Sequence, residues 1–465
     1  MRWLRLLAVL GLMGSLLPVR IAAATPVTVS LREDVEEFGR QMRVPGIAAR
    51  LVGPNGTQWE ITAGLDGRGE ELSAESPFVW GSVSKSAAAA IAVGLADSGE
   101  LDLSSAVREV LPEGASWVGD DVDVGDLIHH TSGLPHDVSL TDVPRSQSAR
   151  SAIAESPPPR HDPRGAFRYS SLNYLLLQAV IERATNGTYS QALQSHVGRP
   201  SNARIVAESR QYNAIVPAGF VPWFGAPRAN VPAPDGAGFG YGYLAGSIEA
   251  LGRYAQWLAA TPLLRDGAAA TVSTAGKAGY GPGLYRERIA GRDVWWHSGA
   301  VPGYFTHIAL FPDTGQALVL AANRYGELES NEFAAFARFI TRRSAGDEIA
   351  APTVAPATTL PVLSAIAGVA FILLGVTGTW RLSRRGRLRS ARRTIIYGLL
   401  TAGLYLAVGM ATWFAHSLVG VPSIVLNRWA PDLAFVLIAL STASIVTSVV
   451  MVTATVRSAM ARHRR

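Results

Sequence analysis

From Leu31 to Met42 apolar and charged residues alternate at helical spacing, and Pro45-Gly46 ends the run. Ile47 to Val52 and Gln58 to Ala63 then alternate as two short strands around Pro54-Asn55-Gly56, a hairpin signal. Ser84 to Ala96 is Ala-rich and helical, ending near Ser98-Gly99. Leu172 to Thr185 is helical too, with Leu175, Leu176, Leu177, Val180 and Ile181 on its apolar face. Residues 199–242, crowded with Pro, Gly and Asn, read as a long irregular region over a site. Gly246 to Leu258 returns to helix. Trp295 to His297, His307 to Phe311 and Ala317 to Ala322 read as strands, with Pro312-Asp-Thr-Gly315 as a turn, and Asn331 to Arg342 as a closing helix. Strands at both ends with helices between them predict an α+β domain whose terminal segments build one antiparallel sheet.

The pattern changes after about residue 345. An Ala/Pro/Thr-rich stretch reads as a linker over 346–359, and the apolar segments 360–380, 394–415 and 433–456 follow, each free of charge and longer than the roughly 18 residues that mark a membrane span. Soluble core helices are the alternative reading. At the other end, arginines 2 and 5, the apolar run from Leu6 to Val19 and Ala22-Ala-Ala24 have the layout of a signal peptide over 1–24, with an uncleaved anchor as its rival. Both place the domain over 25–345 outside the cytoplasm. Seven arginines between Arg381 and Arg393 crowd the first connection and four the tail, against Arg428 alone in the second connection, which puts the first connection and the tail inside.

Charge by region removes one class of partner. The chain carries a net +6, but the three leader arginines and these eleven flanking ones account for fourteen positive charges, leaving −8 on residues 25–350. The basic balance belongs to membrane flanks, so no nucleic acid is expected as a partner. The expected partners are a small-molecule or peptide substrate, membrane lipid along the C-terminal helices, and a second copy of the chain in a dimer through the spans. The absence of cysteine excludes disulfides, thiolate metal sites and cysteine nucleophiles. His129, His130 and His136 have no carboxylate cluster at ligand spacing, so neither a metal nor any other cofactor is called for.

Ser82-Val-Ser-Lys85 carries the candidate chemistry. At the start of a helix, positions i and i+3 share a face, which brings the Ser82 hydroxyl within reach of the Lys85 amine, and the helix N-terminus offers backbone NH groups to an oxyanion. Ser84 also carries a hydroxyl but faces elsewhere. Of 42 basic residues only Lys85 and Lys277 are lysines. Arginine cannot give up its proton, so a lysine here points to proton transfer rather than to generic charge. Two further segments stand out, Phe167-Arg-Tyr-Ser-Ser-Leu-Asn-Tyr174 and Trp296-His-Ser-Gly-Ala300.

Ser-x-x-Lys, then Tyr-x-Ser, then His-Ser-Gly, in this order, resembles the serine beta-lactamase-like family, which includes class C beta-lactamases, D,D-carboxypeptidases, esterases and D-aminopeptidases. Asp126-Leu-Ile-His-His-Thr-Ser-Gly-Leu-Pro135 and Gly81-Ser-Val-Ser-Lys85 are similar to further segments of that family, and the likeness covers residues 30–342. It implies the beta-lactamase/transpeptidase-like fold. It also implies Ser82 as the acylated nucleophile, Lys85 as its activator, Tyr169 as proton relay, and the backbone NH groups of Ser82 and Ala300 as oxyanion hole. Ser171, His297, Ser298 and Gly299 would contact substrate. Ser171 stands where efficient class C beta-lactamases have Asn, and His297 where a strand lysine helps hold a substrate carboxylate. Both changes are familiar among the family's peptidases and esterases.

A leader, an outer domain of this family and three C-terminal spans resemble prodrug-activating peptidases, including the colibactin-maturing one, which remove an N-acyl-D-amino-acid cap. The side chains around Ala245 and Ala300 to Gly303 are small and apolar, unlike a D-Asn pocket. A D-amino-acid-containing peptide is the expected substrate. A carboxylesterase or beta-lactamase is the alternative within the class, and a penicillin-binding sensor without turnover the alternative outside it.

Overall fold

The hairpin at Pro54-Asn55-Gly56 joins β1 (Gly46–Gly53) to β2 (Gly56–Gly64). The computed structural model describes residues 31–265, 271–274, 276, 278–385, 391–418 and 420–463. The leader read over 1–24 lies outside them. Six more strands complete one antiparallel sheet: β3 (Val272–Ser273), β4 (Gly279–Gly281), β5 (Leu284–Ile289), β6 (Arg292–Val301), β7 (Tyr304–Phe311) and β8 (Gln316–Ala322). Their order is β2-β1-β8-β7-β6-β5-β4-β3, so the first strand of the sequence pairs with the last, Ile47 opposite Ala322.

Helices cover both faces. α1 (Leu31–Gln41) and α5 (Ser330–Ser344) share one face, where Phe38 stacks on Phe336 with ring centres 4.0 Å apart and Phe305 of β7 meets Phe333 at 5.0 Å. The other face buries Ala48, Val52, Val319 and Ala321 in a core shared with Ile248, Leu251, Ala255 and Leu258 of α4 (Ile248–Ala260) and with α2 (Ser84–Asp97) and α3 (Ser171–Ala184). α2 is enclosed on nearly all sides, and its run of alanines allows such close approach. This is the α+β architecture, with the terminal strands in one antiparallel sheet, expected from the strand–helix–strand pattern.

Residues 199–242 depart from the irregular chain expected there. They hold a hairpin of Gly219–Trp223 with Ala226–Asn230 and a helix over Ser209–Ile215. The hairpin turns at Phe224 and Gly225 with φ of +51° and +82°, a tight two-residue reversal without the usual Asn-Gly pair, which is why the sequence did not announce it.

The chain divides into two units, Ser30–Pro356 and one holding Ala357–Arg465. In the second, α6 (Thr359–Arg385), α7 (Ala391–Leu418) and α8 (Pro431–His463) are long and apolar enough to cross a membrane. Leu363, Leu374, Leu400 and Val449 point outward, while Tyr405 stacks on Phe371 at 4.3 Å and donates to its carbonyl. Ser441 and Ser448 of α8 donate to the Gly409 and Ala402 carbonyls of α7, tying the helices at small residues.

Candidate active site

Ser82 sits in a single tight turn, Gly81–Val83, that runs directly into α2. Gly81 has φ +52°, and a Cβ there would lie 2.3 Å from the Ala300 nitrogen. A Cβ on Gly299 would lie 2.7 Å from the Ser82 nitrogen and 2.0 Å from the Trp80 carbonyl oxygen. Two glycines therefore let the serine turn lie against β6, with the amides of Ser82 and Ala300 side by side. Thr306 of β7 fixes the contact by donating to the Trp80 carbonyl at 2.6 Å. Such a pair of amides can stabilise an oxyanion.

Lys85 is fully buried one helical turn on. Its Nζ lies 3.0 Å from Ser82 Oγ, 3.3 Å from Ser171 Oγ and 2.8 Å from the Tyr241 carbonyl oxygen. Burial lowers its pKa to about 7, a fall that the Asp142 carboxylate opposes. A neutral amine can give its two hydrogens to the Tyr241 carbonyl and Ser171, which leaves its lone pair for the Ser82 hydroxyl. Ser171 opens α3, capped by Ser170, whose hydroxyl accepts from the Leu172 amide.

Tyr169 precedes this cap. Its hydroxyl lies beside the Ser82 side chain, and its ring centre is 5.0 Å from Lys85 Nζ. Burial, reinforced by Tyr285, pushes its pKa well above that of a free phenol, so it carries its proton. His130 takes the left-handed position that ends helix Val124–His129, and its Nδ1 accepts from the Ser170 amide and Asn173 Nδ2 at 3.2 and 3.0 Å. It anchors the segment that delivers Tyr169 and Ser171.

His297 and Ser298 lie next to each other on β6, so their side chains leave opposite faces. His297 is buried, with ring centres of Tyr169, Tyr280 and Tyr285 at 6.0, 6.1 and 5.5 Å. Ser298 pairs across the sheet with His307, and its Oγ is 2.9 Å from His307 Nδ1. The structure thus brings Ser82, Lys85, Tyr169, Ser171, His297, Gly299 and Ala300 together and turns the Ser298 hydroxyl to the other side.

Two contributors, the Tyr241 carbonyl and Asp142, were missing from the sequence reading. The Tyr241 carbonyl is presented by the turn Phe239–Tyr243. The Tyr241 hydroxyl donates to Asp235 at 2.5 Å and accepts from the Asp142 amide at 2.7 Å, while Arg145 forks onto Asp235 at 2.6 and 2.8 Å. The Tyr241 side chain is thus buried and braces the site from behind. Asp142, with φ +59°, accepts from Tyr243 at 2.8 Å. A charged residue in a loop and a backbone carbonyl leave no periodic signal, so neither was legible.

The beta-lactamase family model matches residues 31–342. Unguisins hydrolase of Aspergillus campestris is 24% identical over 352 residues, covering 64% of this chain and 62% of that protein, so the chain spans less than two thirds of this fungal relative. Penicillin-binding protein 4 of Amycolatopsis lactamdurans is 25% identical over 325 residues, covering 63% of this chain and 84% of its own. Among solved structures, a D-stereospecific amidohydrolase from a Streptomyces species shares the fold with a TM-score of 0.54 and 20% identity, over 64% of this chain and 95% of that one.

Proposed function

Because the chain belongs to the beta-lactamase family of serine hydrolases, we propose that Ser82 attacks an amide or ester carbonyl and carries the acyl group as a covalent intermediate. Neutral Lys85 takes the hydroxyl proton as the Ser82 Oγ–carbon bond forms, and the Ser82 and Ala300 amides hold the oxyanion. The proton passes through Tyr169 to the leaving nitrogen or oxygen as the scissile bond breaks. Water then attacks the acyl carbon, gives its proton back along the same path, and Ser82 leaves with its hydrogen restored. The substrate we assign is a D-amino-acid-containing peptide, a reading supported by the likeness to a D-stereospecific amidohydrolase and a penicillin-binding protein. Gly299 lines the contact, and the small residues Ala245 and Ala300 to Gly303 suit a small side chain. The three apolar helices anchor the enzyme in a membrane, with the hydrolase domain outside.

One observation carries the reading: Lys85 Nζ stands 3.0 Å from Ser82 Oγ while two other acceptors fix the remaining amine directions. The test is fluorophosphonate labelling together with turnover of N-acyl-D-amino-acid amides, beta-lactams and short esters, wild type beside Ser82→Ala. Labelling and turnover should vanish in the variant. Equal labelling of both proteins would remove Ser82 from this role.

A further inference from the structure

Lys85 Nζ has three hydrogen-bond partners, and one helix governs two of them. Ser171 opens α3 and reaches the amine itself at 3.3 Å. Seven residues on, two helical turns along the same face, α3 carries Gln178. Its carboxamide is 1% exposed in a run of Leu, Ala, Val and Ile. A leucine would pack there with no polar group to satisfy, whereas a carboxamide destabilises the helix unless its hydrogen bonds are made.

Those bonds are made, and they lead to the site. Gln178 Oε1 accepts from the Gly240 amide at 2.7 Å, and the two hydrogens of Nε2 go to the Gly236 carbonyl at 3.3 Å and to Glu182 Oε1 at 3.0 Å. Reversing the carboxamide would set Nε2 against the Gly240 N–H and Oε1 against two acceptors, so its orientation is fixed. Gly240 lies within the turn Phe239–Tyr243 that presents the Tyr241 carbonyl, whose oxygen is 2.8 Å from Lys85 Nζ. The Tyr241 ring is held separately, through its hydroxyl to Asp235. Gly240 and Gly242 on either side leave the backbone free to swing about an anchored ring, so the carbonyl needs its own tether. Gln178 supplies it.

Resting on the hydrolase reading above, we propose that Gln178 is a positioning residue for the activation of Ser82, because it locks the Tyr241 carbonyl onto Lys85. The carbonyl and Ser171 then take the two hydrogens of the neutral amine, and its lone pair is left to face the Ser82 hydroxyl. Glu182 acts one step further back by holding the carboxamide. The carbonyl also favours the ammonium form, since a charged donor gains more from an acceptor than a neutral one does. Loss of the tether therefore has two effects. The amine becomes uncharged at lower pH, and its lone pair is no longer aimed.

The experiment follows the second-order rate of fluorophosphonate labelling of the full-length enzyme in detergent against pH, for wild type, Gln178→Met and Glu182→Leu, while the end-point of labelling counts the intact serines. Methionine fills the same length without a polar hydrogen. In Gln178→Met the plateau rate per intact serine should fall on the order of tenfold, and the acid limb should move to lower pH. Glu182→Leu removes one acceptor of the carboxamide and should shift both in the same direction by less. A purely structural role would lower thermal stability and the number of intact serines but leave the limb and the rate per serine at their wild-type values, and that result in Gln178→Met overturns the proposal. Should Gln178→Met give no folded protein, a limb and plateau equal to wild type in Glu182→Leu overturn it instead. Labelling of wild type no faster than that of Ser82→Ala overturns the hydrolase reading itself and the proposal with it.

Discussion

An arginine at position 85 would carry the same charge and reach the same acceptors, but it could not surrender a proton at any pH the protein tolerates. Lys85→Arg should therefore fold and lose about 10²–10⁴-fold in the rate of acylation, read as the rate of fluorophosphonate labelling. Protonation sets the pH dependence with a definite sign. Burial brings Lys85 to about 7, and only the uncharged amine can accept from Ser82, so kcat/KM should rise with pH through about 7 and then level off. Asp142 favours the charged amine, so Asp142→Asn should move this limb to lower pH and leave more activity in mild acid. A pH–rate profile on a neutral amide checks both. The phenol of Tyr169 keeps its proton over this range, which suits the proposed role of relay rather than that of base.

Elements act by bringing distant backbone together. Gly81→Ala should cost on the order of 1–3 kcal/mol for a side chain at φ +52° and push the serine turn off the Ala300 amide, so labelling should fall more than thermal stability does. Asp235→Ala, which strands Arg145 and frees the Tyr241 hydroxyl, should cost about 3–5 kcal/mol in a denaturation series. The same contrast marks what the chain showed in advance. α2 was legible because alanines run up to Ser98-Gly99, and β1–β2 because Pro-Asn-Gly punctuates two alternating runs. β5 was not, since Leu-Tyr-Arg-Glu-Arg-Ile289 has no clean alternation and its strand identity comes from pairing with Arg292 to Trp296. Ser82, Lys85, Tyr169 and His297 stood out through motif spacing. The Tyr241 carbonyl did not, because its place depends on a turn docked against Gln178, whose side chain accepts from the Gly240 amide at 2.7 Å.

At the scale of the whole molecule, the hydrolase unit has its own closed core and sheet, and the C-terminal unit turns leucines and valines outward. A chain ended after Pro356 should stay in the aqueous phase on detergent partitioning and keep fluorophosphonate reactivity, while the full chain should move to the detergent phase. Protease added to intact cells should cut the hydrolase unit if it faces outward. The closure of the sheet also sets when the enzyme becomes able to react. Ser82 and Ala300 are joined by more than two hundred residues, and β1 waits for β8 before its open edge is covered. At a synthesis rate of roughly 5–20 residues per second, the nucleophile leaves the ribosome about ten seconds or more before its oxyanion partner. On the proposed mechanism the emerging chain should therefore stay unreactive to fluorophosphonate until β6 to β8 have arrived to complete the sheet, which labelling of chains stalled before and after them checks.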